Sequence, residues 1–218
     1  MGNEATKTRE IWTDDVKSLF KGSGLDIGAG EDLIHPSARP FDKAHGDANR
    51  IDEFLSEQFD YVFSSHCLEH MHNPTDAILR WWRLVKVGGH LIVIVPDEDL
   101  YEQGFWPSLL NEDHKATFRT SETTWSPVSY RIQDLIATLP NTRLISLERQ
   151  DQGYNYALLT QPTKRRTAYA LNWWLYKKYR KLMTLFKLEQ NPFVGKRLGV
   201  PVEQNALSQI QFILQKLA

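Results

Sequence analysis

The sequence predicts an α/β fold: a doubly wound, mostly parallel sheet closed by an antiparallel hairpin strand, with a helical C-terminal appendage. Three observations predict it. Short apolar, strand-like runs alternate with helix-period segments from Leu25 to Pro96. The first of those runs ends in Gly28-Ala29-Gly30, a turn that lets backbone approach a ligand. Two strand-like segments flank Asp151-Gln152-Gly153, a hairpin signal.

Taken in order, Ile11, Trp12, Val16, Leu19 and Phe20 have helical spacing and predict a leading helix over 11–21, ended by Gly22-Ser23-Gly24. Leu25–Ile27 is the first strand, and 38–43 a short second one. Residues 51–57 are a short helix, and Phe59–Ser64 is a buried strand. Pro74 opens a helix where its missing N–H costs nothing, and that helix runs to Val87 before Gly88-Gly89 stops it. His90–Val95 is the most β-like run of the chain. Residues 98–126 are polar, aromatic and without a clear period, which predicts a lid or binding loop, mobile without ligand. Residues 127–139 return to helix, and 142–149 with 154–160 form the hairpin strands. The stretch 164–187 is rich in Lys and Arg, lacks acids and interleaves Trp173, Trp174, Tyr176, Tyr179 and Phe186. It reads as an amphipathic helix with a solvated basic face, or as a surface for anionic lipid or a polyanionic acceptor. Residues 189–202 are a loop, and 203–217 a last amphipathic helix. The domain division that follows is 1–163, including the lid, and 164–218 as a helical extension.

Composition bounds the function. With 41% apolar and 24% charged residues over 218 positions, the chain is an ordinary soluble globular one with room for a sizeable core. A formal net charge of −1 argues against a general nucleic-acid binder. Cys67 is the single cysteine, so no internal disulfide forms and a cytoplasmic location fits, membrane-peripheral if 164–187 meets lipid. The polar N-terminus shows no secretory leader, and no apolar run approaches the roughly 20 residues of a spanning helix.

The chemistry starts at Leu25-Asp26-Ile27-Gly28-Ala29-Gly30-Glu31. A dinucleotide fingerprint wants a third glycine where Leu33 stands, and a carboxylate at Asp26 repels a pyrophosphate. That acid suits a cationic group, such as the amino group of a methionine-like ligand, or else it caps the loop by accepting backbone N–H bonds. His66-Cys67-Leu68-Glu69-His70 matches the H-x-x-E-H pattern of inverted zinc peptidases, a reading that needs both histidines on one helical face and a third ligand. Pro74 interrupts four residues later. His114, between Asp113 and Lys115, is a candidate proton acceptor near neutral pH or a surface histidine. Tyr101 and Trp106 are candidate walls of an acceptor pocket, and Asp97 ends a strand on the same side.

The ordered motifs resemble a class I S-adenosylmethionine-dependent methyltransferase of the type 11-like kind, with its Rossmann-like fold, over about residues 23–161. They are Leu-Asp-Ile-Gly-Ala-Gly (25–30), Phe-Asp-Lys (41–43), Gly-Asp-Ala (46–48), Phe-Asp-Tyr-Val-Phe-Ser-Ser-His-Cys-Leu-Glu-His (59–70) and Leu-Val-Lys-Val-Gly-Gly-His-Leu (84–91). The lid, with Asp99-Leu-Tyr-Glu and Asp113-His-Lys, is similar to methyltransferases associated with bacterial surface-glycan synthesis. The resemblance implies S-adenosylmethionine as cofactor. Asp26, Gly28 and Gly30 would cradle its methionine part, and Asp42 would receive both ribose hydroxyls. Asp47 would lie near the adenine amino group, Ala48 beside the ring, and Ser65 and His66 at the methionine end. From Gly30 to Asp42 is only twelve residues, so the intervening helix is trimmed to about one turn, and Asp32 or Glu31 takes the ribose if the alignment shifts. The implied reaction is O-methylation of a sugar, glycan or small-molecule hydroxyl. His114, His70 and Asp97 are the catalytic candidates, Tyr101 and Trp106 the substrate candidates, and no metal is assigned. A non-catalytic binding module on the same fold, and a zinc hydrolase through His66, Glu69 and His70, are the rivals.

Overall fold

The computed structural model describes residues 4–108, 110–156 and 206–218. A six-stranded sheet has the order β2-β1-β3-β4-β8-β7, from β1 (Gly24–Ile27), β2 (Ala38–Phe41), β3 (Phe59–Ser65), β4 (Val85–Pro96), β7 (Thr142–Gln150) and β8 (Gln209–Lys216). The pairs β1–β2, β1–β3 and β3–β4 are parallel; β8 is antiparallel to both β4 and β7. A small parallel pair, β5 (Thr117–Arg119) and β6 (Ser129–Arg131), lies beside the sheet. The mostly parallel sheet with an antiparallel closure is as the sequence predicts.

Both faces of the sheet are buried, and the period-two alternation of the strands divides the core. Val62, Leu91, Val93, Phe212 and Leu214 join Trp81 and Trp82 on one face. Tyr61, Phe63, Ile92, Ile94 and Ile213 join Trp12 and Phe20 on the other. The first face is covered by α3 (Pro74–Arg83), where Asn73 caps the first turn through Thr75 N and Asp76 N. Its two tryptophans are fully buried with their indole N–H groups satisfied, Trp81 on Ala48 O at 2.9 Å and Trp82 on Pro140 O at 2.9 Å.

The second face is covered from the N-terminus by α1 (Glu4–Ile11) and α2 (Asp14–Ser18), whose break at Trp12-Thr13 replaces the single helix expected over 11–21. This cover explains the short β1–β2 link. Residues 28–37 form no helix, only isolated turns such as the Asp32 N–H on Ala29 O at 3.1 Å, and Ile34 is buried in the core on this face.

Three expectations are corrected. The helix from Pro74 stops at Arg83, not Val87. Gly88-Gly89 lies inside β4, where the register with β3 shifts, and a Cβ at Gly89 would stand 2.7 Å from Asp60 O. Residues 127–139 split into β6 and the shorter helix α5 (Ile132–Ala137). Among the described residues, β7 pairs with Gln209–Lys216, expected as helix, and Tyr154 to Tyr156 form no strand. The C-terminal extension therefore returns to the sheet as its second-to-last strand. The remainder of 154–160, the basic stretch 164–187 with its membrane reading, and the loop 189–202 fall outside the described residues. No helix among the described residues is long and apolar enough to cross a membrane.

Candidate active site at the carboxyl ends of the parallel strands

The carboxyl ends of β1, β2, β3 and β4 converge on one edge, where ligands bind in open α/β sheets. The glycines of the first loop do different work. Gly28 has φ +79°, and a Cβ there would come within 2.8 Å of Cys67 Cβ, so this glycine serves the fit of the loop against the turn after β3. Gly30 has φ +55°, and a Cβ there would meet nothing within 4 Å. The open face belongs to Gly30. Its N–H donates to Asp42 Oδ2 at 3.1 Å, which ties the glycine loop to the end of β2.

Asp42 is half-buried and sits beside that open face. Asp32, the alternative for the ribose, is held elsewhere: its oxygens accept from Thr6 N at 2.8 Å and Thr6 Oγ1 at 2.7 Å, clamping α1 to the loop. Asp26 is not presented to a ligand. It is 1% exposed, and its Oδ2 accepts the Ile34 N–H at 2.7 Å. Burial, reinforced by the neighbouring charges of Asp42 and Asp32 and opposed by the Ile34 N–H, pushes its pKa up to about 7. The Ile34 contact is the one that the loop-capping alternative requires.

Asp47 caps the 3₁₀ turn of residues 48–53, accepting from Asn49 N at 2.9 Å and Asn49 Nδ2 at 2.8 Å. Those two bonds hold its carboxyl below the ordinary value. Ala48 is partly buried against the first core face. Ser65 ends β3 with a buried hydroxyl that has no hydrogen-bond partner. His66 follows with φ +51° and its ring Nε2 3.0 Å from Gln209 Oε1.

The structure gathers His66, His70 and His114 around Glu69. Cys67–His70 form a single 3₁₀ turn, not the helix an H-x-x-E-H peptidase needs, so the zinc-hydrolase geometry is not formed. Glu69 is 1% exposed, and neither carboxylate oxygen makes a well-formed hydrogen bond. Around its Oε1 stand His66 Nδ1 at 3.5 Å, His114 Nε2 at 3.9 Å and His70 Nε2 at 4.0 Å. Burial raises the Glu69 pKa, but the long His66 hydrogen bond and then the charges of His66, His114 and His70 outweigh it, and the net displacement is downward.

His114 is not a surface residue. It is 7% exposed, its Nδ1 lies 2.7 Å from Glu102 Oε1, and its ring packs against Tyr101 and His70 at centroid distances of 5.2 and 5.1 Å. His70 Nδ1 lies 3.1 Å from Asp113 O and 3.2 Å from Asp113 Oδ2.

The segment 98–126, expected as a lid or binding loop, carries regular elements, α4 (Glu98–Glu102) and β5. Lys115 N and Ala116 N both donate to Glu69 O, at 2.7 and 3.2 Å, and Phe118 is fully buried. Glu98 accepts from Thr117 Oγ1 at 2.7 Å and Thr124 Oγ1 at 2.6 Å.

Asp97 is a cap, not a free acid. Its Oδ1 accepts from Asp99 N and Leu100 N, at 3.0 and 2.9 Å, and its Oδ2 lies 3.5 Å from Arg149 Nε. It thereby aims α4, which presents Tyr101 and Glu102 to His114. Trp106 is half-buried in the same segment, and no contact joins it to the histidine cluster. Sequence reasoning missed Glu102 and Gln209, since nothing in the sequence marks which distant carboxylate or amide will meet a given imidazole.

Residues 31–93 match the family model described as a methyltransferase domain. Among solved structures, the chain is similar to a candidate methyltransferase from Bacillus halodurans C-125, with TM-score 0.51, 15% identity, and coverage of 94% of this chain and 100% of the other. It is also similar to a candidate sarcosine dimethylglycine methyltransferase from Galdieria sulphuraria, with TM-score 0.52, 11% identity, and coverage of 96% and 84%. No curated protein matches the chain. The matched residues span β2, β3, α3 and most of β4, and the two structural likenesses show the fold: a Rossmann-like methyltransferase sheet.

Proposed function

We propose that the chain is an S-adenosylmethionine-dependent methyltransferase acting on an acceptor hydroxyl, with a sugar, glycan or small alcohol as the acceptor. The observation that carries this reading is the open face of Gly30 beside the Asp42 carboxylate, on the same strand edge as the Glu69–His70–His114 cluster, in which Glu69 and His114 are buried and His70 half-buried. The residues present fit the cofactor. Gly30 leaves space for its methionine part, Asp42 offers an acceptor to a ribose diol, and the partnerless Ser65 hydroxyl lies at the end of β3 nearby. When bound, S-adenosylmethionine supplies an electrophilic methyl group on a sulfonium.

The chain's own residues supply position and a place for the proton. An alcohol must lose its proton as it attacks, whereas a neutral amine need not. A site walled by imidazoles, one of them oriented by Glu102, is built to receive that proton. Tyr101 packs on the His114 ring and helps to hold it in place.

Calorimetric titration with S-adenosylhomocysteine tests the cofactor half. The wild type binds it and does not bind NAD. Gly30→Val weakens binding at least about tenfold, or about 1.4 kcal/mol, because the side chain enters the ligand's space. NAD binding without any response to S-adenosylmethionine overturns the reading.

Asp42→Ala weakens cofactor binding roughly ten- to thirtyfold, on the scale of charge-assisted hydrogen bonds of about 1.5–2 kcal/mol. Asp32→Ala leaves affinity nearly unchanged but loosens α1, because its carboxylate is engaged with Thr6. The reverse pattern in the same titration assigns the ribose contact to the wrong acid.

A further inference from the structure

We infer that Glu69, His70 and His114 form a binding site for one first-row divalent metal ion. The sequence assigns no metal, and the H-x-x-E-H pattern would have used His66. The structure substitutes His114, which follows α4 in sequence and is held near by the backbone bonds of Lys115 and Ala116 to Glu69 O.

Four features point to a cation. The first is the carboxylate. A buried carboxylate needs compensating partners, and Glu69 has two buried oxygens for which the shortest ring contact is the long 3.5 Å one from His66 Nδ1 to Oε1. The second is the spacing. Gaps of 3.9 and 4.0 Å from Glu69 Oε1 to the two Nε2 atoms are too long for N–H···O hydrogen bonds. They are wide enough for an ion about 2.1 Å from each atom. The three ligand atoms lie within 4.8 Å of one another, so an ion at their centre sits at most about 2.8 Å from each. Small side-chain adjustments then bring it to about 2.0–2.2 Å.

The third feature is the outer layer of contacts. A metal-binding histidine holds its second ring nitrogen on a carboxylate or carbonyl, which fixes the tautomer and turns the free nitrogen inward. His114 does this through Nδ1 and Glu102, and His70 through Nδ1 and Asp113. The fourth is the donor set. Two imidazoles and one carboxylate suit manganese, iron, cobalt, nickel or zinc and do not suit calcium. His66 Nδ1, 3.5 Å from the same Glu69 oxygen, marks the side on which the site can gain a further donor.

Three protein ligands leave coordination positions open to an outside oxygen. In the methyltransferase reading, on which only this role rests, the acceptor hydroxyl takes one of them. The ion lowers its pKa and fixes its direction. The acceptor class is then narrowed to hydroxyl compounds able to bind a metal, such as the vicinal diols of sugars.

Cobalt(II) is the probe. The protein is stripped with chelator and titrated with CoCl₂ while the visible d–d absorption is followed. Saturation at one equivalent is expected in the wild type and in His72→Ala, an exposed histidine outside the cluster. Binding at least tenfold weaker is expected in His114→Ala, His70→Ala and Glu69→Gln. Circular dichroism and titration with S-adenosylhomocysteine show which variants fold. If Glu69→Gln does not, the half-buried His70→Ala gives the same reading. A folded wild type with no saturable cobalt binding, or binding that survives both histidine substitutions, overturns the site. Cobalt binding without S-adenosylhomocysteine binding overturns the methyltransferase reading instead, and leaves the metal site standing.

Discussion

His114→Ala lowers turnover by about 10²-fold or more while S-adenosylmethionine affinity stays within about twofold of the wild type. The imidazole is buried, oriented by Glu102 through a 2.7 Å contact, and directed at Glu69 from the edge where an acceptor must approach. A group that holds a proton or a metal for the acceptor acts on kcat, and removing it costs about 2.7 kcal/mol or more of transition-state stabilisation for a 10²-fold loss. The cofactor contacts proposed at Gly30 and Asp42 come from other segments and are left in place. Glu102→Gln gives a smaller loss of roughly tenfold. The amide can still reach the ring but no longer presents a charged acceptor to Nδ1, so the effect falls on kcat with cofactor KM unchanged. Steady-state assays with sugar nucleotides and lipid-linked glycans as first acceptors measure both variants. A parallel fall in cofactor affinity makes His114 a packing residue of the lid, and unchanged turnover removes it from the mechanism.

The parts legible in the sequence were those whose signal is local. β1, β3 and the central part of β4 are apolar runs, β1 closed by Gly28 and β4 by Pro96. Asn73-Pro74 marks a helix start through capping and a fixed φ. The Gly28–Gly30 loop is readable because positive φ is a demand on single residues. The last strand was illegible for a physical reason. Gln209–Lys216 lies between β4 and β7 and is buried on both faces, so it lacks alternation, and its apolar residues at 210, 213 and 214, with the flanking 207 and 217, mimic a helical stripe. Gln209 and Gln211 look like a solvated face, but both are buried. Gln211 Oε1 accepts the Trp12 indole N–H, and Gln209 Nε2 donates to Thr8 Oγ1 and Gln150 Oε1.

The same limit applies to the site. His66, Glu69 and His70 announce themselves within five residues. Their completion by His114 and Glu102 depends on how α4 and β5 pack, which no local pattern carries. Asp26 and Asp97 show the converse. Each stands where a functional acid is expected, and each is consumed by backbone N–H groups that shape the edge.

Asp26→Asn stabilises the protein at pH 8 by about 2–4 kcal/mol and leaves it unchanged near pH 4. Burial holds the folded-state pKa of Asp26 at about 7, against 3.8 for the unconstrained side chain. Between those values the folded chain keeps a proton that the unfolded chain has released. Stability therefore falls as pH rises across that window, and the contribution is fully present only below about 4. A displacement of about three units corresponds to about 4 kcal/mol at most, since each unit is about 1.36 kcal/mol. The asparagine keeps an oxygen for the Ile34 N–H and never acquires the charge, so the cost disappears. Other acids titrate in both proteins, Asp60 among them, held at about 2 chiefly by Lys86 and Ser23; they cancel in the difference. Urea unfolding of both proteins at pH 4 and pH 8 measures it. An asparagine variant weaker than wild type at pH 8 would mean that the Asp26 charge is compensated in the fold. S-adenosylhomocysteine affinity within a few-fold of wild type, measured alongside, separates a loop cap from a residue that holds the ligand's amino group.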